Sequence, residues 1–382
     1  MKRLPAIPRL ACCGAVLLAL TTPGAALAQE ASQDSAPRWR LSGDFRLRGE
    51  VDRDRRSAPD RERARVRFRI AAEGELGAGI AVGARLVTAP DPDDPNSTHQ
   101  TLGEAFRNPR VALDRVYVRW RPRIPQLLEI RAGKFPHVFA MPAVFGELVW
   151  DADVQPEGIA ALFEPVPELR LAGGGYLLLH RGGGKDVNLG AAQAAVRLQP
   201  ASRLRLDAAV GTYIYGTPDA GGARELGRQN QGNSLVTDAA GDTIAFASEF
   251  SIWNAHAALI YDGLPVPVAA AAEYVVNASA ASGFDDDGFA VGGVVGRLGR
   301  PGQWRLAYRY QDFGREAIFS PVAQDDFLDA ANFRGHLLGF AIQYLPFANA
   351  HVWTLWSARN EPREDEFQKR FRLDLNFSWR LQ

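Results

Sequence analysis

The sequence predicts an all-β chain that folds as a transmembrane antiparallel β-barrel of about sixteen strands, with short periplasmic turns and long extracellular loops. Apolar and polar residues alternate with a period of two in segments of about ten to fourteen residues, longer than the roughly five or six of most soluble strands. Short turns containing Gly or Pro alternate with longer polar loops. The mean hydropathy is −0.18, and no apolar run of membrane-spanning length follows the N-terminal segment. Only helices or closed barrels can span a bilayer, so a closed barrel is the remaining way for this chain to cross a membrane.

The first and last predicted strands show the alternation most clearly. In the last strand, the apolar face holds Phe371, Leu373, Leu375, Phe377, Trp379 and Leu381. Its polar face holds Arg370, Arg372, Asp374, Asn376, Ser378 and Arg380. In the first strand, Trp39, Leu41, Phe45 and Leu47 alternate with Arg40, Ser42, Asp44, Arg46 and Arg48. Because arginine facing lipid at mid-depth costs roughly 2–4 kcal/mol, the polar faces are expected to line the lumen.

Sixteen segments with strand character can be identified along the chain, an even number that places both ends of the barrel in the periplasm. They are roughly residues 38–51, 64–76, 79–89, 110–121, 126–135, 158–164, 168–180, 187–199, 202–215, 243–261, 265–277, 288–299, 303–314, 333–345, 350–360 and 368–381. Seven short turns and eight longer loops connect them. Aromatic residues near strand ends are expected to form interfacial girdles; they are Trp39, Trp120, Tyr215, Tyr261, Trp304 and Tyr344.

Residues 1–28 have the layout of a secretory signal peptide. Three basic residues precede an apolar core at 15–20, and Ala26-Leu27-Ala28 provides a small-x-small cleavage site. Cleavage near Ala28 would remove both cysteines, Cys12 and Cys13, which suits an oxidising compartment such as the periplasm. The predicted organisation is a signal peptide at 1–28, a short extension at 29–37 and a barrel domain at 38–382.

The composition argues against several classes of function. The chain carries 44 Lys and Arg against 44 Asp and Glu, so it lacks the basic footprint of a nucleic-acid-binding protein. A mature chain without cysteine has no thiolate nucleophile and no zinc–thiolate site. The six histidines are scattered and form no His-Glu-x-x-His motif, so neither a metal site nor a cofactor is expected.

Four stretches carry a more specific signal than alternation. They are NSTHQTLG at 96–103, LDRVYVRW at 113–120, RAGKF at 131–135 and LVWDADVQPEGI at 148–159. In these stretches the chain resembles the bacterial "putative porin" family of Gram-negative outer-membrane proteins. The resemblance implies a pore of about sixteen strands for passive passage of solutes, and related pores are often trimers.

The distribution of charge provides a further indication of function. Residues 38–134 hold twenty arginines and one lysine against fourteen acids, whereas residues 135–382 hold twenty basic residues against twenty-eight acids. Since sequence order around a barrel is angular order, one arc of the wall is expected to be basic and the rest acidic. The alternation predicts a pore-lining basic ladder of Arg40, Arg46, Arg48, Arg65, Arg67, Arg69 and Arg85. Opposed charges of this kind orient dipolar solutes and concentrate ions of one sign.

The acidic loop at 136–157 is the candidate constriction of the pore. If it folds toward the lumen, Glu147, Asp151, Asp153 and Glu157 would face the basic ladder. As an external loop, it would present the same acids to water or divalent ions. The sequence supports both interpretations equally.

The sequence therefore predicts a non-enzymatic porin in the outer membrane of a Gram-negative bacterium. Small hydrophilic solutes, anionic ones among them, would diffuse through its Arg-lined, water-filled lumen. Outer-membrane lipid and lipopolysaccharide are its expected surroundings, and a homotrimer is an expected assembly. A substrate-specific channel or exporter for an anionic polymer or a phosphate-like solute is the alternative within this class. Two other classes of protein remain open. One is a barrel hydrolase, for instance with Ser248 or Ser251 beside His256, and the other is a structural or adhesive barrel.

Overall fold

Sixteen long antiparallel strands close into a barrel, which confirms the predicted fold class and strand number. The structure is a computed structural model that describes residues 38–381 apart from 56–57, 90–96, 104, 106–107, 124–126, 143, 146–147, 156, 325 and 328. The predicted signal peptide at 1–28 and extension at 29–37 lie outside the described residues.

The elements follow the predicted order of strands closely. In chain order they are β1 Arg38–Arg53, β2 Arg61–Gly77, β3 Ile80–Thr88, β4 Gln100–Thr101, β5 Val111–Trp120, β6 Leu128–Lys134, β7 Glu157–Val166, β8 Leu169–Leu179, β9 Val187–Ala201, β10 Leu204–Tyr215, α1 Ala220–Gly227, β11 Leu235–Thr237, β12 Thr243–Phe246, β13 Ser251–Tyr261, β14 Val268–Asn277, β15 Asp287–Gly296, β16 Trp304–Phe313, β17 Phe333–Leu345, β18 Ala348–Arg359 and β19 Gln368–Leu381. The two-residue strand β4 pairs with β2, and β11 pairs with β12 as a separate hairpin. The other sixteen strands form the barrel wall.

The barrel closes where the first and last strands meet. β1 pairs with β19 from Leu41 opposite Leu381 to Arg53 opposite Lys369, and with β2 along its other edge. Closure gives each strand of the wall two hydrogen-bonded neighbours, which is the condition for spanning hydrocarbon with β-structure.

The outer surface of the barrel is apolar. Large hydrophobic side chains are exposed at alternate positions of the wall strands, for example Leu41 and Leu47 on β1 and Leu338 and Phe340 on β17. Five of the six aromatic residues expected in a girdle are exposed near the short-turn ends of their strands: Trp39, Trp120, Tyr261, Trp304 and Tyr344. Tyr215 differs, because it is in phase with the inward-facing Tyr213 on β10 and is buried against Phe319.

One predicted strand, 243–261, is wrong in its first half. Residues 243–246 belong to the β11–β12 hairpin, and the wall strand begins only at Ser251. Phe246 and Phe250 pack against Phe319, with ring centroids 5.2 and 5.0 Å apart, so their aromatic side chains hold this segment away from the wall.

The tight turn between β2 and β3 depends on glycine. Gly77 and Gly79 have φ angles of 102° and 77°, a region that favours glycine. A Cβ on Gly79 would also collide with the carbonyl oxygen of Arg121. This turn therefore sets the register of β2 against β3, in which Arg85 of β3 lies opposite Ala71 of β2.

Within the described ranges, the structure contains no helix that is both long enough and apolar enough to cross a membrane.

Candidate functional site

Two arcs of the inner surface of the barrel differ in their chemistry. We call the inward faces of β7–β10 the apolar arc; its buried side chains include Ala160, Leu162, Ala172, Tyr176, Leu189, Ala191, Ala209 and Tyr213. We call the inward faces of β19, β1 and β2 the charged arc, which carries mainly arginine, aspartate and glutamate. Apolar groups avoid water, so the apolar arc needs a cover that the charged arc does not need.

The segment 135–156, which we call the first inner loop, provides part of that cover. Its Phe135, Phe139 and Trp150 are buried, and they pack against Tyr176 or Tyr213 of the apolar arc with ring centroids 5.5–6.4 Å apart. The described part of the loop therefore lies inside the barrel, as in the interpretation that folds it toward the lumen.

Side chains of the wall hold the backbone of the first inner loop from several strands. Gln193 of β9 exchanges two hydrogen bonds with Ala140, at 2.7 and 3.0 Å. Arg305 of β16 donates to the carbonyl of Val144 at 3.0 Å. Arg115 of β5 donates to Oε1 of Gln155 at 2.7 Å. Because these strands lie far apart around the barrel, the loop crosses the lumen.

A second inner loop, residues 314–332, lies beside the first. The amide of Asp151 donates to Val322 O at 2.8 Å, and the amide of Gln324 donates to Leu148 O at 3.1 Å. Ile318 and Phe319 are buried in the same hydrophobic cluster as the apolar arc. Residues 315–332 fall between two predicted strands, where a long external loop was expected. The apolar run Ala317-Ile318-Phe319 is the signal in the sequence that could have indicated burial.

A cavity of about 960 Å³ remains between the inner loops and the charged arc. Eleven arginines and five aspartates are among the described residues that line it, together with neutral polar groups such as Ser97 and Asn349. Arginine therefore dominates the charge around this space.

Four of the seven arginines of the predicted basic ladder line this cavity, and the other three lie outside it. Arg46, Arg48, Arg65 and Arg67 line the cavity. The other three project from the same inward faces and approach acids of neighbouring strands. Arg40 Nη1 lies 3.8 Å from Glu73 Oε1, Arg69 Nε donates to Asp44 Oδ2 at 2.7 Å, and Arg85 Nε donates to Asp114 Oδ1 at 2.9 Å.

The four predicted constriction acids have different positions. Asp151 and Asp153 line the cavity, and Asp153 Oδ1 lies 3.9 Å from Arg69 Nη1. Glu147 lies outside the described residues. For Glu157 the prediction was wrong, because it is the first residue of β7 and shares the outer face of that strand with Ile159 and Phe163. There it pairs with Lys134 of β6, Nζ to Oε1 at 2.5 Å.

The acids that neutralise the ladder come mostly from the same wall, which corrects the prediction of two opposed walls. Arg48 forms a bidentate pair with Asp374 of β19, at 2.7 and 3.0 Å. Arg67 Nη2 donates to Asp44 Oδ1 of β1 at 2.9 Å, and Arg63 pairs with Glu50. Angular order failed here because closure places β19 beside β1 and because β1 carries acids and arginines on one face.

The positive charge of the arc acts on groups in the loops. His99 is buried next to it, and burial together with the charges of Arg48, Arg67, Arg46 and Arg65 holds the pKa of its imidazole well below the ordinary value. Burial raises the pKa of Asp326 in the second inner loop, but Arg372 and three further arginines lower it to about 2. Asp326 is therefore ionised at neutral pH, and its carboxylate accepts a 2.8 Å hydrogen bond from Arg372 Nη1.

His256 and Ser248, two of the residues considered for a hydrolase, have other partners. His256 Nε2 lies 3.2 Å from the carbonyl oxygen of Ala140, and Ser248 Oγ accepts a hydrogen bond from the amide of Ala281 at 3.0 Å. Ser251 donates its amide to Asn277 Oδ1 at 3.0 Å. His256 thus contributes to holding the first inner loop.

Comparison with solved structures supports the barrel fold. The chain is similar to OprB of Pseudomonas putida at high pH, with 10% sequence identity, a TM-score of 0.55 and coverage of 90% of this chain and 94% of that one. It is also similar to a loop L8 deletion mutant of OmpT, an outer membrane protein of Vibrio cholerae, with 10% identity, a TM-score of 0.54 and coverage of 90% and 100%. A triple mutant of the Rhodopseudomonas blastica porin matches with 13% identity, a TM-score of 0.50 and the same coverage.

Sequence comparison adds a family match over part of the chain. A comparison with curated proteins gives no match. Residues 52–172, which span β2–β7, the first inner loop and the arginines of β2, match the family described as "Putative porin", and this confirms the resemblance that the four motifs indicated.

Proposed function

We propose that this protein is an outer-membrane porin through which small hydrophilic solutes diffuse passively, with a preference for anions. The observation that carries this proposal is the 960 Å³ cavity on the charged arc of a closed barrel. The apolar outer face suits lipid, and the charged inner face suits water and ions.

The preference for anions follows from the groups around the cavity. Among the described lining residues, eleven are arginine and five are aspartate, and guanidinium groups stay protonated at any physiological pH. A water-filled passage with low-dielectric walls and this surplus of positive charge concentrates anions and repels cations. Passive diffusion needs only such a wall and an open path.

Planar-bilayer recordings of the refolded protein under a tenfold KCl gradient test both parts of the proposal. We expect ohmic channels with a reversal potential of the sign that indicates chloride preference. Replacing Arg65, Arg67 and Arg69 with serine should reduce that potential, because all three belong to the charged arc. A control that replaces Arg110, Arg224 and Arg363 removes the same charge from exposed positions in two loops and on α1, and it should leave the potential unchanged.

Two outcomes would count against the proposal. Failure of the correctly folded protein to conduct would exclude a porin and favour a structural or adhesive barrel. Unchanged selectivity in the Arg65, Arg67 and Arg69 variant would show that the charged arc does not select ions.

The proposed location and assembly follow from the same surfaces. We infer that the barrel lies in the outer membrane of a Gram-negative bacterium after removal of residues 1–28, with lipopolysaccharide around its long-loop end. A homotrimer is the proposed assembly; one of the similar solved structures, OmpT of Vibrio cholerae, is described in a trimer form. The mass of the detergent-solubilised native protein tests this, since a monomer would contradict it.

A further inference from the structure

Four arginines of β1 and β2 form a compact group of like charges. Arg46 lies opposite Arg67 in the strand register, and Arg48 lies opposite Arg65. Directly opposed residues on adjacent antiparallel strands have Cβ atoms about 4.5–5.5 Å apart and project from the same face. We call these four residues the arginine cluster.

The arginine cluster is largely withdrawn from bulk water, although it borders the cavity. Arg48, Arg65 and Arg67 are 7%, 1% and 8% exposed, and all four residues line the cavity. Burial of like charges is costly, because their repulsion is weakly screened away from water. Bound anions offset such a cost.

The protein supplies part of this compensation at two edges of the cluster. Asp44 accepts from Arg67, and Asp374 accepts from Arg48 and has Oδ2 3.8 Å from Arg46 Nη1. Both aspartates project from the wall strands next to the arginines. On the cavity side, Arg65 Nη2 donates to the carbonyl of His99 at 3.2 Å, and Asp153 of the first inner loop has Oδ1 3.9 Å from Arg69 Nη1. Since eleven arginines line the cavity against five aspartates, the cluster still faces it with a surplus of positive charge.

His99 is buried beside the arginine cluster, within its positive potential. The four arginines of the cluster are the charges that, after burial, depress the pKa of its imidazole. Ser97 Oγ lies 3.1 Å from His99 Nδ1 and also borders the cavity. A neutral imidazole and a hydroxyl add polar groups without adding a negative charge that would repel an anion.

We propose that the arginine cluster is a binding site for a multivalent oxyanion of the phosphate class, free or as the phosphate group of a small solute. This inference deepens the proposed function, since the site lies in the passage of the porin. Guanidinium groups bind oxyanion oxygens through two parallel N–H donors, a geometry that chloride does not exploit. A dianion also gains more than chloride from the opposed rows of positive charge.

Titration calorimetry with inorganic phosphate, in detergent at pH 8 and constant chloride, tests the site directly. We expect saturable binding to the full-length refolded protein. Arg46→Gln should weaken it about tenfold, which corresponds to about 1.4 kcal/mol, because the variant loses one charged donor to the oxyanion. Arg46 is the least buried member of the cluster, and it pairs with Asn376 and a more distant Asp374, so this variant is the one least expected to disturb folding.

Two further variants separate the contributions to binding. Arg46→Lys keeps the charge but loses the planar fork, and it should fall between the wild type and Arg46→Gln. Arg363→Gln removes a charge from an exposed loop position and should change phosphate binding less than about twofold. In bilayers, phosphate should also reduce the chloride current of the wild type in a saturable way.

The outcomes separate this inference from the porin proposal. Chloride conduction without phosphate binding would overturn the inference and leave the porin proposal intact. Phosphate binding without conduction would contradict the porin proposal and keep the site. Equal phosphate affinity in the Arg46→Gln and Arg363→Gln variants would place any binding outside the arginine cluster and overturn the assignment.

Discussion

Arginines on the inward face of β1 and β2 are neutralised by carboxylates on the same or the adjacent strand. Arg48 pairs with Asp374, Arg63 with Glu50, and Arg67 with Asp44. The sequence contained part of this information, because Asp44 and Glu50 have the same parity as Arg48 along β1 and therefore share its face. The partnership with Asp374 depended on barrel closure, which local alternation does not encode.

Replacing Asp374 with asparagine should destabilise the protein by about 3–5 kcal/mol, since it leaves the buried Arg48 without its bidentate partner. Urea unfolding in detergent, followed by tryptophan fluorescence, measures this change.

The matched control is Asp207→Asn. Asp207 pairs with Arg197, whose side chain is 70% exposed, at 3.1 Å. Surface pairs contribute roughly 0–1 kcal/mol, so a small effect is expected. Equal losses of stability in the two variants would contradict the view that burial makes the pair at Asp374 important.

Two residue-level predictions failed at the ends of strands, for different reasons. Tyr215 was assigned to the outer girdle although its parity along β10 matches that of the inward-facing Tyr213. The predicted strand began at 158, which left Glu157 free to be assigned to the loop and the lumen. Strand interiors, such as those carrying Arg46 and Arg67, do not share this uncertainty.

The two inner loops determine which part of the lumen stays open. They pack on each other and on the apolar arc, and they leave the cavity on the charged arc. The arrangement could be predicted only partly, because loops lack the periodicity that identifies strands. Buried aromatic residues within loop segments, such as Trp150 and Phe319, are the local sign of an inward fold.

His137 should make the first inner loop sensitive to acid. Burial lowers the pKa of this imidazole, which lies against Phe139 and Trp150, to about 4. The ordinary value is about 6.5, so below that pH the unfolded chain binds the proton more strongly than the folded one. The stability that His137 confers is therefore complete above about pH 6.5 and decreases by about 3 kcal/mol as the pH falls to about 4.

Unfolding free energies of wild type and His137→Phe between pH 4 and 7 measure this effect. The variant should lose that part of the pH dependence, because phenylalanine does not titrate. His180→Phe is the control, since His180 is exposed and pairs with Asp186 in another loop. A wild-type pH dependence that persists in His137→Phe would show that other groups cause it.

At the scale of the whole molecule, the barrel wall could be predicted from the sequence, whereas the packing of the two inner loops inside the lumen could not. Fifteen of the sixteen predicted segments correspond to wall strands within a few residues, and the remaining one, 243–261, contains a wall strand in its second half. Alternation is a local signal that identifies each strand, so the sixteen wall strands could be counted from it. The filling of the lumen depends on contacts between residues far apart in sequence, such as Asp151 with Val322.

Removing residues 368–382 should abolish membrane insertion. The deletion eliminates β19 and leaves β1 and β18 with unpaired edges, and each unsatisfied backbone group in hydrocarbon costs several kcal/mol. Protease protection in liposomes and the mobility of unheated protein in detergent gels measure insertion and folding.

A deletion of residues 235–246 is the control, because the β11–β12 hairpin is not part of the wall. This variant should still insert. Insertion of the chain that lacks β19 would mean that closure between β1 and β19 is dispensable.

The order of charges along the junction of β1 and β19 also bears on the size of the barrel. Arg48, Glu50 and Asp52 face Asp374, Arg372 and Arg370, so opposite charges meet at three successive inward positions. Sliding the strands by two residues would set Arg48 against Arg372 in one direction and Glu50 against Asp374 in the other. Sliding by one residue would turn the charges toward lipid. The stagger of the last strand against the first is what fixes, with strand number, the tilt and diameter of a barrel. In this protein, three ion pairs between β1 and β19 thus favour the register on which the diameter of the barrel depends.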